Sequence, residues 1–245
     1  MGVTTPYTSH LRQPEFRSVY EPSEDTFLLL DALEADQSLL VKLNPLSVLE
    51  IGVGSGIVLS FIDAVLGHPK STAYFGTDMN PACLKSLGRT FAANNESKLA
   101  EPVLTNLAGG FRPCMFDLIV FNPPYVVSDL DEVGDAFYLA YSGGKDGRLV
   151  IDEFLFDRLE KLGIIPLDQQ AIADSVPNSD LGSSALTTID ERAVKVAIYL
   201  VVIEQNKPLE LMQLMSKKYG FTCCNVMSRK CGPEQLSILR FLLYH

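Results

Sequence analysis

The chain has 245 residues, 47% of them hydrophobic, with 30 acidic and 20 basic side chains. This length and composition predict one α/β domain with a sizeable buried core. The net charge of −10 at pH 7 argues against direct binding of duplex nucleic acid and favours a protein substrate with basic residues around its target. No apolar run reaches the ~18 residues of a membrane helix, and no basic-plus-apolar leader is found at the N-terminus.

Five cysteines and three histidines are scattered along the sequence. No two cysteines have the Cys-x-x-Cys spacing of a zinc or redox motif, and the histidines lie near predicted loops or termini. We therefore expect free thiols in a reducing compartment and no metal site in this chain. A cytoplasmic location is favoured, with the nucleus as a second location.

Apolar periodicity predicts the elements in chain order. Helices are expected over 24–35 (with Ser23 as N-cap), 57–66, 82–94, 147–162 and 208–218. Strands are expected over 47–51, 73–77, 103–105, 117–121, 194–202, 221–227 and 236–243. Strands that alternate with helices predict a mostly parallel sheet of seven strands with helices on both faces. The last two strands, joined by residues 230–233, predict an antiparallel hairpin at one edge.

Two segments lie outside this pattern within the expected single domain, 1–245. Residues 1–19 form an N-terminal extension. Residues 163–192 are rich in Ser, Asp, Gln and Gly and predict a long flexible insertion. A loop of this length is either a tolerated surface insertion, which we favour, or a functional lid.

The tetrapeptide Asn122-Pro123-Pro124-Tyr125 follows the predicted strand over 117–121. Because proline lacks an N–H and fixes φ, the backbone cannot continue here as a sheet strand. The Asn122 side-chain oxygen and the backbone carbonyls are left to accept hydrogen bonds from a planar –NH2 group, with Tyr125 packed on its face. A proline-rich turn after a buried strand is the alternative interpretation.

A glycine turn, Gly52-Val53-Gly54-Ser55-Gly56, lies between the strand over 47–51 and a helical pattern. Such a turn lets a ligand approach the backbone and the free N–H groups of a helix N-terminus. The spacing differs from the dinucleotide fingerprint, which requires glycine where this chain has Ile57. Glu50 would also repel a pyrophosphate. The turn therefore indicates a nucleotide-type ligand without a pyrophosphate cradle.

Asp78 ends the strand over 73–77, about 20 positions after the glycines. An acidic residue at this place holds a ribose diol in doubly wound folds, and we favour that role. The alternative is an N-cap for the following helix, although Asn80-Pro81 is itself a good cap and first-turn pair.

Together, the glycine turn, Asp78 and the Asn122 tetrapeptide resemble a class I S-adenosylmethionine-dependent methyltransferase that modifies planar amino or amide nitrogens. Segments 20–29 and 142–148 make the chain similar to the eukaryotic HemK-like glutamine methyltransferases. The resemblance covers about residues 18–160 and 194–243. It implies a Rossmann-like fold, S-adenosyl-L-methionine as cofactor, and the GGQ glutamine of the class I translation release factor as substrate.

The resemblance also implies roles for single residues. Thr26 matches the position that closes over the methionine end of the cofactor, and Glu50 contacts this end or holds the glycine turn. Asn106 stands where the family usually has an aspartate that accepts from the adenine amino group, so the oxygen acceptor remains but the charge is lost. The expected catalytic residues are Asn122, Pro123, Pro124 and Tyr125, and the expected cofactor-binding residues are Thr26, Glu50, Gly52, Gly54, Asp78, Asn106, Leu107 and Asn122.

A small zinc-binding activator subunit is the partner that the resemblance implies. The strand over 103–105 would lie at a sheet edge, is short and carries no charge. An unprotected apolar edge invites pairing with another chain. We therefore expect a heterodimer docked along this edge, with an edge covered by the chain's own loops as the alternative.

Other functions remain open at this point. An adenine-N6 nucleic-acid methyltransferase would use the same acceptors, but it requires a flipped base and a basic channel. Lysine methylation fits less well, because an ammonium lacks the planar –NH2 group. A non-catalytic module that keeps only the fold belongs to a different class, and the intact glycine turn and tetrapeptide argue against it.

Overall fold

The structure is a computed structural model that describes residues 2–95, 98–113, 116–128, 142–165 and 193–245. The helices are α1 (Glu24–Ala35), α2 (Gln37–Leu43), α3 (Ile57–Val65), α4 (Pro81–Asn94), α5 (Leu149–Asp152, Glu153–Arg158 and Leu159–Lys161) and α6 (Pro208–Tyr219). The strands are β1 (Ser47–Ile51), β2 (Ala73–Asp78), β3 (Ala100–Leu104), β4 (Leu118–Phe121), β5 (Val194–Ile203), β6 (Thr222–Cys231) and β7 (Glu234–Tyr244). From residue 166 onward, the insertion expected over 163–192 lies outside the described residues.

The described strands form a seven-stranded sheet in the order β3-β2-β1-β4-β5-β7-β6. Neighbouring strands from β3 to β5 pair in parallel. β7 pairs antiparallel with both β5 and β6. The predicted Rossmann-like sheet with an antiparallel C-terminal hairpin is therefore confirmed.

The third strand differs from the prediction of 103–105. β3 spans Ala100–Leu104, so it begins earlier and includes Glu101 and Pro102. The expectation of an uncharged strand was therefore wrong. Proline is tolerated because β3 is an edge strand of the described sheet and needs no N–H on its outer side. The predicted edge position is confirmed.

The centre of the sheet is apolar along its whole length. All four residues of β4 are buried, as is β5 from Val196 to Ile203. Such continuous apolar runs are typical of parallel strands covered on both faces. Phe121, the last residue of β4, packs edge-on against Phe154 of α5 with ring centroids 5.3 Å apart. This rigid centre fixes the position of the tetrapeptide that follows β4.

Some elements were not predicted from the sequence. They are α2, a π-helical stretch at Glu153–Arg158 within α5, and short 3-10 helices at Ser9–Arg12, Pro14–Phe16, Lys145–Gly147 and Glu204–Asn206. The N-terminal extension packs against α4, and Asn80 Nδ2 donates a hydrogen bond to the Ser18 carbonyl at 2.9 Å. Within the described ranges, no helix is both long and apolar enough to span a bilayer.

Candidate active site

The glycine turn, Asp78 and the tetrapeptide meet at the carboxyl ends of adjacent strands. β2, β1 and β4 are neighbours in the sheet, and ligands of open α/β sheets bind outside these ends. The Gly54 N–H donates to Asp78 Oδ2 at 3.1 Å, which links the turn after β1 directly to the end of β2. The strand order thus brings together three motifs that are distant in sequence, while their function as one site stays a prediction.

The glycine turn lies next to the tetrapeptide, and two of its glycines have left-handed backbone conformations. Gly52 and Gly54 have φ of +63° and +49°, values that favour glycine. A Cβ on Gly52 would point to within 3.7 Å of Phe121 Cε2 and 4.0 Å of the Asn122 carbonyl oxygen. A Cβ there would be in ordinary van der Waals contact with both groups, so the turn and the tetrapeptide are close neighbours. Gly56 differs, because its Cβ would lie 2.7 Å from Leu87 Cα, so it serves the packing of α3 against α4.

Asp78 is held by backbone N–H groups on both carboxylate oxygens. Besides the bond from Gly54, Asn80 N donates to Asp78 Oδ1 at 2.8 Å. The N-cap of α4 is Asn80, whose side chain accepts from Ala82 N, so the alternative role for Asp78 as the cap is not observed. A carboxylate oxygen has further lone pairs, and Asp78 therefore remains able to accept from a diol.

Glu50 is buried one residue before the end of β1. Its Oε2 accepts a hydrogen bond from Leu59 N at 2.9 Å, in the first turn of α3. Burial, assisted by the negative charge of Asp78, raises the pKa of Glu50 well above its usual value. The bond to Leu59 ties β1 to α3 across the glycine turn. This contact supports the turn-holding role, while a contact with the cofactor stays a prediction.

Asp25 connects α1 to the tetrapeptide, and sequence reasoning did not assign it a role. The residue is buried in the first turn of α1. Its Oδ2 accepts hydrogen bonds from Asn122 Nδ2 at 2.9 Å and from the Tyr125 hydroxyl at 3.2 Å. Its Oδ1 accepts from Thr26 N at 2.7 Å, and the Tyr20 hydroxyl lies 3.4 Å from both oxygens. One carboxylate therefore holds two residues of the tetrapeptide.

The bond to Asp25 fixes the orientation of the Asn122 amide. A carboxylate accepts only, so the nitrogen of Asn122 must face Asp25 and the oxygen must point away. Asn122 Oδ1 is buried, and no donor from the described residues reaches it. A buried acceptor without a partner costs free energy unless a ligand satisfies it. The Asn122 oxygen is therefore a buried acceptor without a donor in the described part of the chain, and its contact with a substrate amide stays a prediction.

The carbonyls of the tetrapeptide differ in whether they accept a hydrogen bond from the rest of the described chain. Asn206 Nδ2 donates to the Tyr125 carbonyl at 2.9 Å and to the Gly147 carbonyl at 3.2 Å. Gly143 and Gly147 pack so closely that a Cβ on either would overlap the carbonyls of Pro124 or Tyr125. In contrast, no backbone N–H of the described residues donates to the Pro123 carbonyl. The Pro123 carbonyl therefore has no backbone donor in the described part of the chain, and its role as the second acceptor stays a prediction.

Burial and negative charge keep the two tyrosines of the site protonated. Burial, followed by the charges of Asp25 and Glu234, raises the pKa of Tyr20 to about 12. Burial and Asp25 also hold the pKa of Tyr125 far above its ordinary value. Both phenols therefore act as hydrogen-bond donors at neutral pH.

The remaining predicted cofactor residues lie around the same strand ends. Thr26 is buried beside Asp25, and its hydroxyl lies 3.3 Å from Asp25 Oδ1. Asn106 is exposed after β3, and Leu107 is buried with φ of +52°. Thr105 N donates to the Asp78 carbonyl at 3.1 Å, which holds this loop against the end of β2. The contacts of Thr26, Asn106 and Leu107 with a cofactor stay predictions.

A cleft of about 490 Å³ opens beside the tetrapeptide, between the start of α1 and the β6–β7 hairpin. Sequence analysis assigned no function to this hairpin. Its lining residues are Tyr20, Ser23, Glu24, Asp25, Tyr125, Arg229, Lys230, Cys231, Gly232, Glu234 and Leu236. The cleft therefore borders the candidate site through Asp25 and Tyr125.

Comparison with known proteins identifies the family. No protein-family model matches the chain. The chain is 35% identical over 244 residues to methyltransferase HEMK2 of Mus musculus, a match that covers 98% of this chain and 97% of the mouse protein. The chain belongs to the HEMK2 methyltransferase family. The HemK-like assignment made from the sequence motifs is thereby confirmed.

Two further comparisons support membership of the HEMK2 family. The eRF1 methyltransferase catalytic subunit mtq2 of Schizosaccharomyces pombe is 32% identical over 252 residues, covering 97% of this chain and 95% of the yeast protein. The solved E. cuniculi Mtq2–Trm112 complex is described as responsible for methylation of the eRF1 translation termination factor. Its matching chain is 26% identical with a TM-score of 0.58, and the match covers 92% of this chain and 98% of that one. The HEMK2 family fold and its methyltransferase class are thus those of this chain.

Proposed function

We propose that this chain transfers a methyl group from S-adenosylmethionine to the side-chain amide of a glutamine, that of the GGQ motif in the class I translation release factor. The observation that carries the proposal is the buried oxygen of Asn122, which is turned away from Asp25 and has no donor among the described residues. The relatives named as eRF1 methyltransferases favour the same substrate. A translation factor as substrate agrees with a cytoplasmic location, with the nucleus as a second one.

The residues present fit the proposed cofactor. Gly52, whose Cβ would lie 4.0 Å from the Asn122 carbonyl oxygen, lets a ligand approach the backbone beside the tetrapeptide. Asp78 would accept from the ribose hydroxyls, and Asn106 and Leu107 would flank the adenine. When bound, S-adenosylmethionine supplies an electrophilic methyl group.

The tetrapeptide would orient and activate the amide. An amide nitrogen is a poor nucleophile, because its lone pair is delocalised into the carbonyl. Asn122 Oδ1 and the Pro123 carbonyl would accept the two amide hydrogens, which stabilises the positive charge that develops on nitrogen. Fixing the reacting groups in this way supplies ~7–11 kcal/mol in the best intramolecular cases. Because the proton leaves after transfer, we assign no general base.

We further propose a heterodimer with a small zinc-binding activator that pairs with β3. Leu104 at the end of this edge strand is 61% exposed, and Leu99 just before it is also exposed. Because β3 lies at the sheet edge, a partner strand would extend the sheet through backbone hydrogen bonds. The solved relative in complex with Trm112 favours this arrangement.

A radiolabelled methyl-transfer assay tests the proposed reaction. The purified chain, with its partner where one is bound, is offered release factor, release factor with the GGQ glutamine replaced by alanine, duplex DNA and single-stranded DNA. We expect label in the first substrate alone. Label in DNA, or equal label in both release factors, would overturn the proposal.

The variant Asn122→Ala tests the role of the free acceptor in the same assay. We expect turnover to be lost while the fold and most of the cofactor affinity are kept, because the oxygen faces the substrate. If the variant retains more than about a tenth of wild-type turnover, Asn122 contributes less than ~1.4 kcal/mol to the transition state and the acceptor mechanism is wrong.

A further inference from the structure

Helix α4 connects the N-terminal extension to the glycine turn. The short 3-10 helices at Ser9–Arg12 and Pro14–Phe16 pack against α4. The glycine turn approaches the same helix, because a Cβ on Gly56 would lie only 2.7 Å from Leu87 Cα. The sequence assigned no function to the extension, yet through α4 it lies one layer of side chains away from the turn.

The carbonyl of Ser55, in the middle of the glycine turn, accepts two hydrogen bonds from α4. Thr90 Oγ1 donates to it at 2.6 Å and Ser86 Oγ at 3.1 Å. All three residues are buried. Each hydroxyl has one hydrogen, so both hydrogens are used on this carbonyl. The two bonds fix the peptide that follows Ser55, next to the Gly54 N–H that donates to Asp78.

His10 of the N-terminal extension contacts both of these hydroxyls. Its Nε2 lies 3.0 Å from Ser86 Oγ and 3.4 Å from Thr90 Oγ1. Because the hydroxyl hydrogens are directed at Ser55, the oxygens can only accept here, and the network assigns the donated hydrogen to His10 Nε2. Burial, and then the charge of Arg89, lowers the pKa of His10 below its ordinary value of 6.5, so the neutral ring has this one N–H at pH 7. The hydrogen bonds therefore run in one direction, from the extension through α4 to the glycine turn.

The surroundings of His10 hold its ring in place. The ring meets that of Phe16 edge-on, with centroids 5.1 Å apart. Arg89 lies over the Phe16 ring and pairs with Glu15, which fastens the extension to α4 at the surface. A hydroxyl that accepts a hydrogen bond is a stronger donor, whereas a Ser or Thr hydroxyl in a helix otherwise turns back to a carbonyl of its own helix. The donor of His10 therefore favours the orientation in which both hydroxyls bind the turn.

We propose that His10 is a positioning residue for the cofactor site. By donating to the two hydroxyls of α4, it keeps the Ser55 carbonyl, and with it the glycine turn, in the conformation that binds S-adenosylmethionine. This inference rests on the cofactor of the proposed function. It gives the N-terminal extension an effect on cofactor affinity and leaves the transfer step to the tetrapeptide.

Calorimetric titration with S-adenosylmethionine tests the proposal without requiring turnover, and steady-state kinetics on the release factor separate KM from kcat. Both use the purified chain, with its partner where one is bound. His10→Phe keeps a ring beside Phe16 but has no donor, and His10→Gln restores an N–H donor. Thr90→Val removes one hydroxyl at similar size. Arg89→Gln is the matched control, because it loosens the extension at Glu15 and leaves the two hydroxyls in place.

We expect His10→Phe and Thr90→Val each to raise the Kd and the KM for S-adenosylmethionine at least fivefold, a factor typical of one hydrogen bond. The kcat at saturating cofactor should stay within twofold of wild type. His10→Gln and Arg89→Gln should keep a Kd within twofold of wild type. In a chain that already carries Ser86→Ala and Thr90→Val, His10→Phe should have no further effect, because the groups through which His10 acts are gone.

The outcomes separate the two proposals. A wild-type Kd in His10→Phe, or the same loss of affinity with and without the two hydroxyls, would overturn the role of His10 and leave the proposed function standing. If His10→Phe does not fold, Thr90→Val tests the same contact from α4, and unchanged affinity there would also overturn the role. A wild-type chain that binds no S-adenosylmethionine would overturn both proposals.

Discussion

Asp25 Oδ2 lies 2.9 Å from Asn122 Nδ2, although 97 positions separate the two residues in the chain. The contact joins the first turn of α1 to the loop after β4. Because Asp25 accepts only, it determines which end of the Asn122 amide faces the substrate. Asp25 in α1 therefore determines that the side-chain oxygen of Asn122, and not its nitrogen, is available to accept a hydrogen bond.

Asp25→Asn should lower kcat at least tenfold with little change in the affinity for S-adenosylmethionine. The new amide could donate to Asn122 Oδ1 and so remove the free acceptor, while its own oxygen could still accept from Thr26 N. Steady-state kinetics and calorimetry measure the two effects. Tyr125→Phe is the matched control, because it removes the hydroxyl bond to Asp25 but leaves the Asn122 bond. Similar kcat values for Asp25→Asn and the wild type would show that amide orientation does not depend on Asp25.

Asp78→Ala should weaken the binding of S-adenosylmethionine at least tenfold. Charge-assisted hydrogen bonds contribute ~1.5–3 kcal/mol, and each ~1.4 kcal/mol is a factor of ten in affinity. The variant also loses the bonds that hold Gly54 and Asn80, so the glycine turn loosens. Asp78→Asn keeps one acceptor oxygen, so its affinity for S-adenosylmethionine should lie between those of the wild type and Asp78→Ala. Unchanged affinity of Asp78→Ala in calorimetry would remove this residue from the cofactor site.

Leu104→Lys should weaken the complex with the proposed activator at least tenfold, because it places a charge on the edge of β3 that the partner would cover. Co-purification and interferometry measure the effect. Leu46→Lys is the matched control, since Leu46 is also 61% exposed but lies before β1, away from that edge. Equal binding of both variants would show that the activator does not dock on β3. A chain that is soluble and fully active by itself would show that no activator is needed.

Asp63→Asn should destabilise the fold at neutral pH. The buried Asp63 carboxylate accepts from Lys98, His68, Tyr74 and Asn95. Loss of one partner of a buried ion pair costs about 3 kcal/mol or more. Urea unfolding at pH 7 measures the difference in the free energy of unfolding.

The pH dependence of this difference has a definite sign. Burial alone would raise the pKa of Asp63, but the hydrogen bonds, that of Lys98 foremost, outweigh it and hold the pKa below the ordinary value of 3.8. A lowered folded-state pKa gives stability that is present above 3.8 and lost as pH falls through the folded value. The difference in the free energy of unfolding between wild type and Asp63→Asn should therefore narrow below pH 3.8. A difference that widens there would contradict a lowered pKa of Asp63.

Elements with strong periodicity were predicted from the sequence alone. The predicted bounds of α1 and β1 agree with Glu24–Ala35 and Ser47–Ile51, because apolar spacing defines them locally. Ser23 occupies the N-cap position of α1 as predicted, but its side chain makes no capping hydrogen bond. β3 was placed too late, since Glu101 and Pro102 disfavour a strand by propensity and only pairing with β2 allows one. Long apolar strands and capped helices are thus predictable, whereas edge strands depend on tertiary contacts.

The sequence predicted the motifs of the candidate site but not the residues that hold those motifs in place. Gly52, Asp78 and Asn122 follow strand ends, and the strand order brings them together. Asp25 and Asn206 act through contacts with residues 97 and 81 positions away, and no local pattern encodes such contacts. Asp25 lies beside Thr26 in segment 20–29, which carries the family resemblance. Its charge next to a predicted cofactor residue was the sequence feature that could have indicated its role.

The position of Asn206 also bears on how the active site is made during folding. The Tyr125 carbonyl obtains its donor only when a residue 81 positions later has arrived, and Gly147 must be seated against the same carbonyl. During synthesis from the N-terminus, the tetrapeptide emerges long before this support. Methyl-transfer competence should therefore appear only after β5 has joined the sheet, which makes the catalytic geometry one of the last features that the nascent chain acquires.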